Sequence, residues 1–449
     1  MENTMKRTLL NLLLTHCILA WPVLRAEDVP KPLNGSQAVD LTRKYLAETD
    51  AAKKEALLAQ AGETLADDPK PFIRLLQPTG YAPTKSGVQH GLKLNVPASV
   101  SNKPVEYSLV VPTRYTPNQL WPLVIGLHGG GGGTGSGAQH IQLLMSAYSQ
   151  PVFIVCPTSV DLGDKFYWRN PKNESMLDLL VKELSKQFPI DPDKVYLTGY
   201  SMGGIGTYYL GTRNVDRYAG IAPGGGAWKG IYWPGTLNTP TYIWHGKRDL
   251  RGKNFTDFPN AENATACLKE LGTGYTHEFK AMDCEHGNVP INESKLMVDW
   301  LLKQKRNPFP KRIVFASPRA QDFMVAVMPS PPDRWLVIDE TGTEKLDMDG
   351  LEMGGTPRIK LKLQMGTLDA SWTAPNTLEV KSQNVNKFRV FLAPNLVDFK
   401  KPLKILVDGK TCYEGPTKSS LKFLMKYLDE RRDTGMVFVG EVVVVKAAK

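Results

Sequence analysis

The sequence predicts an α/β fold, a mostly parallel sheet with helices on both faces, joined to a β-rich domain at its C-terminal end. Two observations carry this. Over residues 87–307, short continuously apolar runs alternate with helix-like stretches, and strands apolar on both faces are what a doubly covered sheet needs. After Asn307-Pro308-Phe309-Pro310 the pattern changes to apolar/polar alternation broken by turn residues, which marks half-buried strands over residues 312–449.

The elements follow in chain order. Lys6-Arg7 precede an apolar run from Leu9 to Trp21, with small residues at Ala20 and Ala26, so residues 1–26 read as a signal peptide. Met5 is an alternative start that puts the basic pair at the terminus. Asn11, Thr15 and His16 interrupt the run, which is shorter than the about 20 residues a membrane span needs. Cys17 follows His16 rather than a small residue, which argues against a lipoprotein signal. A secreted or periplasmic chain without a stable membrane span is expected. A Pro-rich linker leads to residues 37–80, where Ala38, Leu41, Tyr45, Leu57, Leu58, Ala61 and Leu65 give helical spacing. This helical segment is expected to pack on the main domain.

The strand candidates of the sheet are 107–111, 122–127, 152–156, 195–198, 218–222, 241–245 and 275–282, with helices at 174–187, 202–212, 260–271 and 293–305 between and after them. In the C-terminal domain the candidates are 312–316, 323–327, 335–338, 358–363, 377–381, 388–392, 403–407 and 436–445. Asp-Gly pairs at 349–350 and 408–409 are expected turns. Asp347-x-Asp349-Gly350 lacks the remaining ligands of a calcium loop.

Composition excludes some functions. With 42% hydrophobic residues and a net charge of +10 from 55 basic and 45 acidic side chains, the chain can build a sizeable core. The charges are scattered, Lys311-Arg312 and Arg431-Arg432 being short pairs, and no recognition motif accompanies them, so no nucleic-acid partner is expected. Beyond the leader, Cys156 reads as buried. Cys267 and Cys284 could pair in an oxidising compartment, but they fall at opposite ends of their elements, which argues against a disulfide.

The sharpest motif is Gly199-Tyr200-Ser201-Met202-Gly203, between a strand and a helix. A serine hydroxyl must be lifted out and deprotonated to act as a nucleophile. A tight turn does the lifting, and its crowding excludes side chains two positions either side. Second comes His128 followed by Gly129 to Gly133, directly after a strand. Backbone N–H groups brought close by glycines can hold an oxyanion, so Gly129 and Gly130 are candidates for one donor and Met202 for the other. A phosphate loop would need Gly-Lys-Ser/Thr, whereas Thr134-Gly135-Ser136-Gly137 follows. His128 reads as a loop anchor.

The remaining members should follow in the order serine, acid, histidine. Asp249 closes Trp244-His245-Gly246-Lys247-Arg248-Asp249 in the loop after a strand, with Asp257 and Asp283 as alternatives. His286, in Asp283-Cys284-Glu285-His286-Gly287-Asn288, lies between the last strand and the final helix, the place for a general base. His245 reads as a packed strand-end residue. Trp168, Trp228 and Trp233 are candidates to line the substrate pockets, with core packing as their alternative.

In this order these residues resemble the α/β-hydrolase superfamily over roughly residues 90–306. Residues 121–133, 199–204 and 244–249 are similar to secreted esterases grouped with feruloyl esterases and polyhydroxybutyrate depolymerases, and to the prolyl-oligopeptidase-like catalytic domain. The resemblance implies carboxylic-ester hydrolysis through an acyl-enzyme, with no metal or cofactor. No propeller is read ahead of the catalytic stretch, which speaks against a true prolyl oligopeptidase. Asn395-Leu396-Val397-Asp398-Phe399, Pro402 and Val407-Asp408-Gly409-Lys410 resemble a β-module attached to such hydrolases in environmental bacteria; carbohydrate binding, substrate covering and structural support are all open for it. An esterase acting on polymeric or small esters is expected; the alternatives are a serine peptidase on the same fold and a non-catalytic binding protein on a hydrolase scaffold.

Overall fold

The computed structural model describes residues 35–61, 72, 75–76, 80–130, 134–163, 168–252, 255–320, 330–351, 358–431 and 433–446. The signal peptide and the strand expected at 323–327 lie outside the described residues.

Eight strands form the main sheet: β1 (Gly87–Leu94), β2 (Val105–Val111), β3 (Trp121–Leu127), β4 (Phe153–Pro157), β5 (Ile190–Tyr200), β6 (Gly220–Gly224), β7 (Thr241–Gly246) and β8 (His277–Met282). Their order is β1-β2-β4-β3-β5-β6-β7-β8. β2 runs antiparallel to β1 and β4, and every pairing from β4 to β8 is parallel. This is the α/β-hydrolase fold. The apolar runs work as strands because successive side chains feed two cores. In β3, Leu123, Ile125 and Leu127 join one core, and Val124 joins the other.

Five helices cover the faces: α3 (Gly137–Leu143), α4 (Pro171–Gln187), α5 (Met202–Arg213), α6 (Phe258–Glu270) and α7 (Glu293–Leu301). α4, α5 and α6 pack on the Leu123 side through Leu180, Leu210 and Leu268. α3 and α7 pack on the Val124 side through Ile141 and Met297. The start of α4 is written locally. The Asn170 side chain accepts from the Asn173 N–H at 2.9 Å, and Pro171 needs no partner at the first helical position.

The C-terminal domain holds a five-stranded sheet of β9 (Arg312–Ser317), β13 (Gly366–Ala374), β14 (Thr377–Gln383), β16 (Leu403–Val407) and β17 (Lys410–Gly415). A three-stranded sheet joins β10 (Leu336–Thr341), β15 (Val385–Leu392) and β18 (Gly440–Val445), and β11 (Lys345–Leu351) pairs with β12 (Arg358–Gln364). Phe315, Leu368, Leu378 and Ile405 of the larger sheet share one core with Phe388, Val390 and Val442 of the smaller.

Three expectations are corrected. Asp349-Gly350 is not a turn. It lies within β11, opposite Lys360 and Ile359, and Asp349 pairs with Lys360 at 2.6 Å and Arg358 at 3.2 Å. Gly350 serves close packing there, since a Cβ on it would come within 2.7 Å of Leu361. Asp408-Gly409 does turn, with φ of 51° and 80°, and closes the β16–β17 hairpin. The β-rich stretch also contains a helix, α8 (Leu421–Arg431), whose Leu421, Leu424, Met425 and Leu428 face inward. Finally, α1 (Gly35–Ala47) and α2 (Ala51–Gln60) pack on α8 through Ala38, Leu41, Tyr45 and Leu58, not on the main sheet. Lys54 of α2 pairs with Asp429 of α8 at 2.5 Å.

Buried charges join the two domains. Arg306, 3% exposed, binds Asp433 of the C-terminal part at 2.5 and 3.0 Å and Asp193 of β5 at 2.9 and 3.1 Å. Arg431 at the end of α8 pairs with the buried Asp216. A charge out of water persists only with partners, and removing one partner strands the other. Arg306→Ala therefore destabilises the protein by about 3–5 kcal/mol, read as a lower midpoint in urea denaturation.

Candidate active site

β5 ends at Tyr200 and α5 begins at Met202, so the chain reverses on one residue. Ser201 takes φ 59° and ψ −120°, a conformation that costs a non-glycine residue energy. The bend is possible because its flanks have no side chains. A Cβ on Gly199 would meet the Gly203 carbonyl oxygen at 2.4 Å, and one on Gly203 would stand 1.9 Å from that of Leu127. The Ser201 N–H donates to the Gly224 carbonyl at 3.0 Å, tying the bend to β6.

The Gly129 backbone lies against this bend: a Cβ there would be 3.2 Å from the Ser201 Cβ and 3.8 Å from its Oγ. Gly130 has φ 113°, a value glycine adopts freely. His128 holds the loop from beneath. Its Nε2 accepts from the Ser159 N–H at 3.0 Å, so Nδ1 carries the proton and donates to the Gly129 carbonyl at 2.8 Å. Burial pushes its pKa down to about 4, which keeps the ring neutral. Gly131, Gly132 and Gly133 lie outside the described residues.

His286 Nε2 lies 2.7 Å from the Ser201 Oγ, and its Nδ1 is hydrogen-bonded to the Asp249 carboxylate. The loops after β5, β7 and β8 supply one residue each. Of the other acids considered, Asp257 accepts the Arg251 N–H at 2.7 Å, and Asp283 faces Arg248 at the surface. Only Asp249 among the three meets the imidazole.

The Asp249 side chain is fully buried. Burial alone would raise its pKa, but hydrogen bonds from His245 and His286 outweigh that and hold it at about 2. His245 is the contributor that sequence reasoning missed. Its Nε2 lies 3.3 Å from Asp249 Oδ2 and 2.7 Å from the Thr256 carbonyl. Arg251 Nε stands 3.3 Å from the other carboxylate oxygen. The His245/Asp249 spacing was visible, but only the folded turn aims both side chains at one point.

An open cleft of about 260 Å³ lies beside the serine, lined by His128, Gly129, Gly130, Thr134, Tyr200 and Ser201 among others. The three candidate tryptophans do not line it. Trp168, Trp228 and Trp233 are 1%, 3% and 4% exposed and belong to the main core. Trp168 instead donates its indole N–H to the His128 carbonyl at 2.9 Å, bracing the glycine loop. Cys267 and Cys284 are buried free thiols. Among the described residues, no cluster of His, Cys, Asp and Glu converges on a metal position, and no helix is long and apolar enough to cross a membrane.

No family model matches the chain. It is 25% identical over 185 residues to the bifunctional acetylxylan esterase/xylanase XynS20E of Neocallimastix patriciarum, covering 36% of this chain and 27% of that protein. It is 25% identical over 124 residues to a probable feruloyl esterase C of Aspergillus niger, covering 26% of this chain and 44% of that protein. The chain thus spans less than half the length of these curated relatives. A solved thermostable esterase superposes with a TM-score of 0.40 at 21% identity, covering 48% of this chain and 62% of that one.

Two outcomes follow from the geometry. Gly203→Ala forces a Cβ against the Leu127 carbonyl and costs up to about 3 kcal/mol, measured by chemical denaturation. Folded Asp249 titrates below its ordinary 3.8, so the fold favours the ionised form. That contribution is complete above about pH 4 and lost as pH falls towards 2. Asp249→Asn removes this part of the slope of stability against pH in that window, measured by urea titration at each pH.

Proposed function

We propose that this chain is a serine hydrolase that cleaves carboxylic esters through an acyl-enzyme. The observation that carries the reading is the continuous relay Ser201–His286–Asp249 at the head of a helix, with Nε2 at 2.7 Å from Oγ. Asp249 keeps the proton on Nδ1, which leaves Nε2 as the base facing the hydroxyl. The Ser201 Oγ attacks the ester carbonyl carbon as its proton passes to Nε2. The carbonyl oxygen becomes an oxyanion, held by the N–H of Met202 and that of Gly129 or Gly130, and the helix dipole adds to the same field. Collapse expels the alcohol, which takes the proton from His286. Water, deprotonated by the same imidazole, then releases the acid and restores the serine.

The similarity to proteins named acetylxylan esterase and feruloyl esterase supports acyl groups carried on polysaccharide as the substrate class. Such polymers lie outside cells, which agrees with the leader composition of residues 1–26 and with secretion.

The test is labelling with a fluorophosphonate probe together with turnover of 4-nitrophenyl acetate and methyl ferulate. The native chain labels and hydrolyses esters. Ser201→Ala does not label and loses kcat by about 10⁶-fold, and Asp249→Asn loses about 10⁴-fold. Labelling retained in Ser201→Ala removes that serine from the mechanism. Fast dipeptidyl amide turnover with no ester preference moves the chain to the peptidases.

A further inference from the structure

A concavity near the domain junction lies apart from the one beside Ser201. A cleft of about 680 Å³ opens between the catalytic domain and the five-stranded sheet, and nothing in the proposed chemistry uses it. The catalytic domain contributes Tyr232 and Tyr275, and the β-domain contributes Arg312, Asp369, Lys381 and Gln383. Both tyrosines are half-buried, so each presents part of a ring to the opening. Tyr275 is fixed by its hydroxyl, which donates to the Pro234 carbonyl at 3.1 Å.

The lining decides what fits. Of its lining charges, Arg312 is paired with Asp369, Asp408 is paired at 3.0 Å with Lys446 from outside the lining, and Lys381 completes the set. Arg312 and Asp369 bind each other through two hydrogen bonds of 2.8 and 2.9 Å. Most of the lining charge is therefore already engaged in ion pairs, so a phosphate or an acidic chain gains little from it. The walls carry the polar side chains of Thr273, Thr367, Ser382 and Gln383, and the aromatic surface is amphipathic. A neutral polyhydroxylated ligand satisfies both at once. A fully apolar ligand would leave these polar groups desolvated and unpaired.

Position decides what kind of polyol. Tyr275 precedes β8 and His286 follows it, so the cleft and the imidazole lie at opposite ends of that strand, about 20 Å apart for six residues. A ligand in the cleft is not the group being cleaved. A small substrate gains nothing from such a remote contact, whereas a repeating chain held there is present at raised effective concentration for the serine. We infer that this cleft is an anchoring site for a neutral polysaccharide, which deepens the esterase reading by naming the polymer that carries the acyl groups.

The experiment is native affinity electrophoresis of the full chain carrying Ser201→Ala, in gels containing arabinoxylan, galactomannan, mixed-linkage glucan or polygalacturonate. Since this background is inactive, binding is read apart from catalysis; an active chain without retardation fails only the anchoring site, and retardation without ester turnover fails only the esterase reading. At least one neutral polymer retards the protein. Tyr275→Ala with Gln383→Ala raises the apparent Kd about tenfold. Thr273→Arg, at an exposed rim position, blocks the cleft without cutting a packed side chain and gives the same loss, which guards against misfolding of the double variant. No retardation by any neutral polymer, equal retardation of the cleft variants, or retardation by polygalacturonate alone overturns the inference.

Discussion

The carbonyl oxygen of Leu127 and the backbone of residue 203 approach so closely that a single added methyl group would sit 1.9 Å from that oxygen. On this contact between the end of β3 and the start of α5 the rest of the site depends. It holds Ser201 in a backbone conformation that an isolated chain would abandon, because leaving it would require the sheet and the helix to part. The same closeness brings the Gly129 loop against the serine, so the Ser201 hydroxyl and the loop backbone are positioned by one packing event.

The acid end is fixed differently. Asp249 is out of water, and its charge is maintained by hydrogen bonds from two imidazoles with a guanidinium nearby. An ionised carboxylate there holds the His286 proton on Nδ1 through their hydrogen bond. His245 also reaches the Thr256 carbonyl, so the loop that follows Asp249 is tied to the same ring that steadies it. Strain sets one end of the relay and hydrogen bonding the other.

Much of this was legible beforehand, for physical reasons. The central strands are runs such as 122–127 that cannot be anything exposed, and the glycines around Ser201 have no better use than a crowded turn. The loop positions of Asp249 and His286 follow from strand order. What escaped depends on tertiary closure. β17 has no buried residue and only Tyr413 packs against the domain core, so no apolar alternation announced it. α8 has clear helical spacing, but it is set among strands and was submerged in their pattern. The tryptophans illustrate a real ambiguity: a large ring serves a core or a pocket equally well, and Trp168 supports the glycine loop from within the core. His245 looked like filler because a strand-end histidine gains its meaning only when the following turn folds back.

The buried charges at the domain junction bear on how such a chain can be cut or shuffled. Asp216 lies in the catalytic half, and its buried partner Arg431 comes from the far end of the sequence; Arg306 likewise spans Asp193 and Asp433. A gene fragment ending at the Pro-rich joint would leave Asp216 without Arg431. The larger domain is thus not a free cassette. Separating it from its companion strands these charges, so a recombination that keeps the fold must carry both halves or redesign the seam between them.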